Sequence, residues 1–222
     1  MRMHEHGIMM ASQSQPRFSW DDVPDQLVRI NSLEGSLVGS GGVLTGALDM
    51  SGAGQTVTIT GSPVYTASDS ALNGAPSFSA ITAGGVDVLG LVNSQIKFLV
   101  WVVYRTGDQW VCDSVSGAGT RPYAVLGGTQ LQVPGGDISG IGTGNARFRC
   151  LMPYDGTTAT LLNGAAAGTR SAQTFSGTGL RLGRYYGGSG PGARTAFFMA
   201  CSSVPGALVR TELETLLAAG FG

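Results

Sequence analysis

Charge is scarce in this sequence. Charged residues make up 12% of 222, with 13 Lys+Arg against 14 Asp+Glu and a formal net charge of −1, about half the usual share of a soluble domain. Without a basic excess there is nothing to hold a run of phosphates, which argues against nucleic-acid binding. No apolar stretch approaches the roughly 18 residues of a transmembrane helix. His4 and His6 are the only histidines, so no Ser-His-Asp or Cys-His chemistry can be assembled in the body of the chain. No CxxC pair exists, which removes the usual zinc sites. What is plentiful is glycine, 36 residues. The glycines follow no Gly-X-Y period, and each one inside a helix costs about 1 kcal/mol relative to Ala. Ample Val, Ile, Leu and aromatics argue against a disordered chain. The composition points to an all-β protein with its glycines in turns.

One domain is the natural reading of this length. Such a chain can bury roughly 70% of the surface it exposes when unfolded, and needs no disulfide or metal staple. Cys112, Cys150 and Cys201 are odd in number and far apart, and are expected to be reduced core thiols. The first fifteen residues are too short and too polar for a signal peptide, so synthesis and folding in a cytoplasm are expected. The His4-Glu5-His6 triplet could chelate a metal, but flexible histidine clusters seldom bind one specifically. No metal or cofactor is expected.

Residues 1–26 read as an irregular arm and 27–222 as the domain. The arm carries Phe18 and Trp20, whose rings need a surface, either this domain or a partner. A first strand is expected around Gln26 to Ser32, and the Gly-rich run Gly35 to Gly46 reads as a loop. Thr56 to Thr60 alternates threonine with Val57 and Ile59, as a half-buried strand should. Ile96 to Tyr104 is an apolar run interrupted only by Lys97 and fits a strand buried on both faces. Further strands are expected at Gln109 to Val115, Tyr123 to Leu126, Thr129 to Val133, Ala146 to Met152, Thr157 to Leu162, Arg170 to Phe175, Gly179 to Tyr185 and Arg194 to Cys201. Asp155-Gly156 and Asn163-Gly164 are hairpin signals. Val209, Leu213, Leu216 and Leu217 form one stripe of an amphipathic helix. Thr211-x-x-Glu214 could cap it, Pro205 leaves room for a start one turn earlier, and Gly220 is a plausible stop. The expected architecture is a two-sheet antiparallel jelly-roll β-sandwich with one short C-terminal helix.

Several segments, in order, resemble concanavalin A-like (laminin-G-like) jelly-roll domains. They are Ser51-Gly52-x-Gly54, Pro63-Val64-Tyr65, Leu72-Asn73-Gly74-x-Pro76-Ser77-Phe78, Asp155-Gly156-Thr157, Leu161-Leu162-Asn163-Gly164, Gly179-Leu180-Arg181-Leu182-Gly183, and the terminal helix with Glu214, Leu216, Leu217 and Gly222. The resemblance covers about residues 45–222. Domains of this kind are frequent in bacteriophage virion proteins, as head decorations, fibres or tail adhesins, commonly as homo-oligomers. It implies a virion structural protein fixed through its N-terminal arm to capsid or tail proteins, or, alternatively, a carbohydrate-binding module that recognises host-surface glycans.

Catalysis is not expected. Glycosidases of the resembled family carry a Glu-x-Asp-x-x-Glu strand, because hydrolysis needs two flanking carboxylates. Here the glutamates are Glu5, Glu34, Glu212 and Glu214 alone, none on a central strand. Asp108, Asp113 and Asp137 could contribute to a calcium site but lack ligand spacing. The binding surface expected from sequence is Arg184, Tyr185 and Tyr186, with Trp110 as a second candidate. An exposed Tyr beside Arg suits stacking on a sugar or a protein. The structural alternatives are a strand end packing on a loop for the tyrosines, and packing between the sheets for Trp110.

Overall fold

A computed structural model describes residues 18–80, 84–115, 119–184 and 192–222. Among these residues seventeen strands and one α-helix follow in chain order, besides four single-turn 3-10 helices. The first eight are β1 (Gln26–Asn31), β2 (Leu37–Ser40), β3 (Val43–Ala47), β4 (Thr56–Thr60), β5 (Val64–Asp69), β6 (Ala75–Ser79), β7 (Gly85–Val92) and β8 (Phe98–Arg105). They continue with β9 (Gln109–Ser114), β10 (Ala124–Gly127), β11 (Gln130–Gln132), β12 (Ile138–Ser139), β13 (Ala146–Pro153), β14 (Ala159–Leu162), β15 (Ala165–Thr169), β16 (Thr178–Leu182) and β17 (Arg194–Cys201), and end with α1 (Ala207–Phe221). A ten-stranded sheet runs β15-β14-β13-β8-β17-β6-β5-β3-β2, with β1 also on β17. A seven-stranded sheet runs β12-β11-β10-β9-β16-β7-β4. The chain is an all-β antiparallel sandwich with a C-terminal helix.

Side-chain alternation separates two cores. On β8, Leu99, Trp101 and Val103 face the other sheet, while Phe98, Val100 and Val102 face away from it. Both rows are buried, and this is why the run at 98–104 shows no polar alternation. On β17, Phe198 and Ala200 join the core between the sheets, and Phe197, Met199 and Cys201 join the outer one. The lid of the outer core is α1, through Leu213, Leu217 and Phe221, each worth about 1.5–3 kcal/mol of burial. The helix begins one turn before the possible Thr211 cap, and the Thr211 hydroxyl donates back to the Ala207 carbonyl at 3.1 Å. It also runs through Gly220 instead of stopping there. A Cβ on Gly220 would lie 2.5 Å from Leu33 Cδ1, the end of an exposed side chain that can turn aside.

Phe18 and Trp20 pack on the same outer core, and the Trp20 ring lies 5.0 Å from that of Phe197. Arg29, buried on β1, pairs with Asp21 at 2.7 Å and Glu34 at 3.2 Å. Gln26 Nε2 donates to the Trp20 and Val23 carbonyls. Residues 18–26 are thus bound down onto the domain.

Three local expectations are corrected. The run Gly35 to Gly46 is a hairpin, β2–β3, in which Gly41 and Gly42 supply the positive φ of the turn. Arg170 to Phe175 is irregular, and the strand lies just before it as β15. The cause is Arg170 itself, whose buried guanidinium donates to the carbonyls of Gly136, Asp137 and Ala167. Finally, Trp110 does not pack between the sheets. The β9–β10 pairing is offset by an extra residue, so Trp110 sits opposite Val125, while the flanking Ala124 and Leu126 point into the core. The bulge turns the Trp110 ring to the outer face, where it is half-buried.

Candidate functional site

Two sequence candidates far apart in the chain converge. Arg184 follows β16, and the segment that leaves there returns at Gly192, just before β17. Both feet of this excursion are fixed to adjacent residues of β9. Gly183 N–H donates to the Val111 carbonyl at 2.7 Å, and Ala193 N–H donates to the Trp110 carbonyl at 3.0 Å. Trp110 and Gly192 also form an isolated β-bridge. Trp110 and Arg184 therefore belong to one end of the seven-stranded sheet. Tyr185 and Tyr186 lie outside the described residues.

Next to Trp110 the outer face of this sheet carries a row of paired charges. Thr58, Asp87, Arg181 and Asp113 are successive cross-strand partners on β4, β7, β16 and β9. Arg181 grips Asp87 with Nε–Oδ1 at 2.7 Å and Nη2–Oδ2 at 2.9 Å. The Thr60 hydroxyl also donates to Asp87, at 3.0 Å. Arg121 pairs with Asp113 at 3.0 Å. Burial first, and then the carboxylates of Asp137 and Asp113, hold the nearby Tyr123 hydroxyl in its neutral form by raising its pKa, against the opposing pull of Arg121. The row gives a rigid polar platform, and its charges are committed to one another.

The loops at this end are tied by Arg105, which is 1% exposed. Its guanidinium donates to the carbonyls of Gly107, Gly142 and Gly128 at 2.8, 2.9 and 2.6 Å. Asp108 accepts from Gly128 N–H at 2.6 Å, and Asp137 accepts from Val133 N–H. The three aspartates weighed as calcium ligands thus have separate local partners. Among the described residues no group of three His, Cys, Asp or Glu is arranged to hold a metal ion.

The described glutamates and thiols have structural settings. Glu34 pairs with Arg29 and Glu214 with Arg149 at 3.0 Å, while Glu212 lies on the exposed side of α1. All three cysteines are buried and unpaired. Burial, reinforced by the nearby Asp25 carboxylate, pushes the Cys201 thiol up to about 12, far from the thiolate a nucleophile needs.

Sequence reading missed one feature. A groove of about 530 Å³ opens beside the sandwich, between β12 with its following loop and the β14–β15 hairpin. Its walls come from residues 137–141, 162–163 and 165–167, with Phe148 at the base. Only the Asn163-Gly164 turn gave a sequence signal here, and it was a signal for a hairpin.

No protein-family model matches the sequence, and no curated protein matches it. Among solved structures the chain is similar to receptor-binding domains of botulinum neurotoxins. One is a type C structure, reported with the finding that cell entry depends on two ganglioside molecules (TM-score 0.57, 12% identity, 87% of this chain and 51% of that one). Another is the binding domain of neurotoxin DC in complex with SialylT (TM-score 0.55, 11% identity, 88% and 52%). A third is the type G receptor-binding domain (TM-score 0.56, 11% identity, 88% and 51%). This chain spans about half the length of each. At such identities the likeness establishes a shared β-sandwich fold.

Proposed function

We propose that this domain is a non-catalytic carbohydrate-binding module whose contact surface is the outer face of the seven-stranded sheet around Trp110 and Arg184. The observation that carries the reading is the placement of Trp110. A bulge presents its half-buried indole outward, beside both feet of the segment that bears Arg184, Tyr185 and Tyr186. A sugar ring is apolar on its C–H face and polar at its edge, so it can stack on an indole while its hydroxyls reach neighbouring polar groups. The Asp87–Arg181–Asp113–Arg121 row next to it holds such groups rigid. Solved chains of this fold include one with bound SialylT and one whose cell entry depends on gangliosides, which supports glycan recognition. The carboxylates nearest this surface, Asp87 and Asp113, are engaged by Arg181 and Arg121, which suits the surface to binding rather than to glycoside hydrolysis.

Attachment to a virion through Phe18 and Trp20 needs those rings for a partner. They are spent on this domain's own outer core, so the glycan reading comes first.

The test is a glycan array followed by calorimetry with the intact chain. Trp110→Ala is expected to weaken binding at least tenfold with an unchanged circular-dichroism spectrum, and Tyr185→Ala with Tyr186→Ala to weaken it further. Unchanged affinity in both variants overturns this surface. Light scattering on the same samples reads the oligomeric state that the family resemblance implies.

A further inference from the structure

We infer that the groove between β12 and the β14–β15 hairpin is a second saccharide site, one that takes a single neutral sugar ring. This rests on the carbohydrate-binding reading and extends it to a different surface. The volume, about 530 Å³, falls in the range of small-ligand sites, roughly 300–1,000 Å³. It exists because its walls are cut back. Ala165, Ala166 and Ala167 on one side and Gly140 on the other leave space above Phe148 and Leu162.

The polar groups at the rim are fixed before any ligand arrives. Asp137 Oδ1 accepts from Val133 N–H at 3.2 Å, which leaves Oδ2 to accept from a ligand. Its backbone is gripped from behind by Arg170. Asn163 stands in a left-handed turn, φ 51°. Its Oδ1 accepts from Arg149 N–H at 2.8 Å, and its Nδ2 donates to the Arg147 carbonyl at 3.3 Å. A second lone pair and a second N–H remain for a ligand. Ser139 adds a hydroxyl. Fixed acceptors and donors around an apolar floor match a ring with one C–H face and several hydroxyls, and their fixed positions reduce the ordering cost of binding.

The rim also sets the charge. Asp137 is its exposed ion, whereas the Arg170 guanidinium is buried and turned onto backbone carbonyls. A carboxylate-bearing sugar would therefore meet the Asp137 carboxylate, so neutral sugars are favoured over sialylated ones.

The experiment is a ¹H–¹⁵N NMR titration of the full chain with methyl glucoside, methyl mannoside and methyl galactoside, with 3′-sialyllactose for comparison. At least one neutral glycoside is expected to shift the amides of Ser139, Gly140 and Ala165–Ala167, with an affinity at least threefold tighter than sialyllactose. Ala166→Trp fills an exposed position and should abolish those shifts. Asp137→Asn keeps the oxygen that Val133 needs and should weaken them severalfold. Trp110→Ala should leave them intact. Shifts confined to the Trp110 end overturn the groove site and leave the general reading standing, while shifts nowhere overturn both. Tighter sialyllactose binding at the groove amides, or shifts there that survive Ala166→Trp, also overturn the proposal.

Discussion

Gly192 packs directly against the carbonyl of Gly183, so that a Cβ on Gly192 would collide with that oxygen and lie 3.0 Å from the Ala80 Cβ. The two glycines stand at opposite ends of the segment bearing Arg184, Tyr185 and Tyr186, and their contact holds its feet together. Gly192→Ala has no flexible side chain to push aside, because the obstructing atom is backbone. The expected cost is about 1–3 kcal/mol in urea unfolding, together with loss of glycan binding at the Trp110 surface. Gly144→Ala is the control. Nothing lies within 4 Å of its would-be Cβ, and the change should stay within about 0.5 kcal/mol.

The fork between Arg181 and Asp87 should be one of the costliest side-chain pairs to break. Both are largely buried, at 14% and 7% side-chain exposure. Arg181→Met leaves Asp87 with the Thr60 hydroxyl but no cation. Removing one partner of a buried pair costs about 3–5 kcal/mol, and the surviving Thr60 bond places this one near the lower end. The double variant Arg181→Met with Asp87→Leu should recover most of the loss, since neither charge is then stranded. If the double variant is as unstable as the single one, the pair is not the source of the effect.

Arg105 joins three loops by side-chain bonds alone, which predicts a local signature. Arg105→Met keeps the length and apolar stem but removes the donors to the Gly107, Gly142 and Gly128 carbonyls. Bonds from a charged group contribute about 1.5–3 kcal/mol each when buried. Amide exchange should accelerate around residues 107–108, 128–129 and 142–144, with β8 and β17 unchanged. Uniform acceleration across the domain would instead mark Arg105 as a core residue with no special role in the loops.

Much of the fold was legible because short-range physics fixed it. The doubly buried strand β8 follows from the apolar run Phe98 to Tyr104, rich in β-branched and aromatic residues, and the Asn163-Gly164 hairpin from the two residues that most readily take a positive φ. Where the reading failed, the deciding contact was distant. Glycines at 35–46 read as a loop, yet Gly39 is small because the Tyr65 ring of β5 occupies the space a side chain would need. Arg170 opened a run that alternates like a strand, but its guanidinium is held by carbonyls more than 30 residues away. Trp110 and Arg184 were both visible as candidates. Their convergence was not, because it depends on a one-residue bulge in β9. The groove was invisible as well. Asp137 stood out only as a possible calcium ligand and Asn163 only as a hairpin residue, and only the approach of two sheet edges gives them a common cavity.

The turn at Asp155 predicts an acid limb in the stability curve. Slight burial alone would raise this carboxyl, but hydrogen bonds from the Thr158 hydroxyl and from the Thr158 and Thr157 amides outweigh it and hold the pKa down to about 2, against an ordinary 3.8. A pKa lower in the folded chain than in the unfolded one means that the unfolded state binds the proton more readily. The stabilisation is therefore fully present above about pH 4 and is lost as pH falls through about 2. Asp155→Asn keeps an acceptor for the two amides but cannot titrate. The variant should start less stable at neutral pH, because its amide accepts more weakly than a carboxylate. Its stability should then fall less steeply than that of the parent between pH 4 and pH 2, so the two urea midpoints converge. Parallel curves over that interval would show that Asp155 titrates normally and that its hydrogen bonds do not survive in solution.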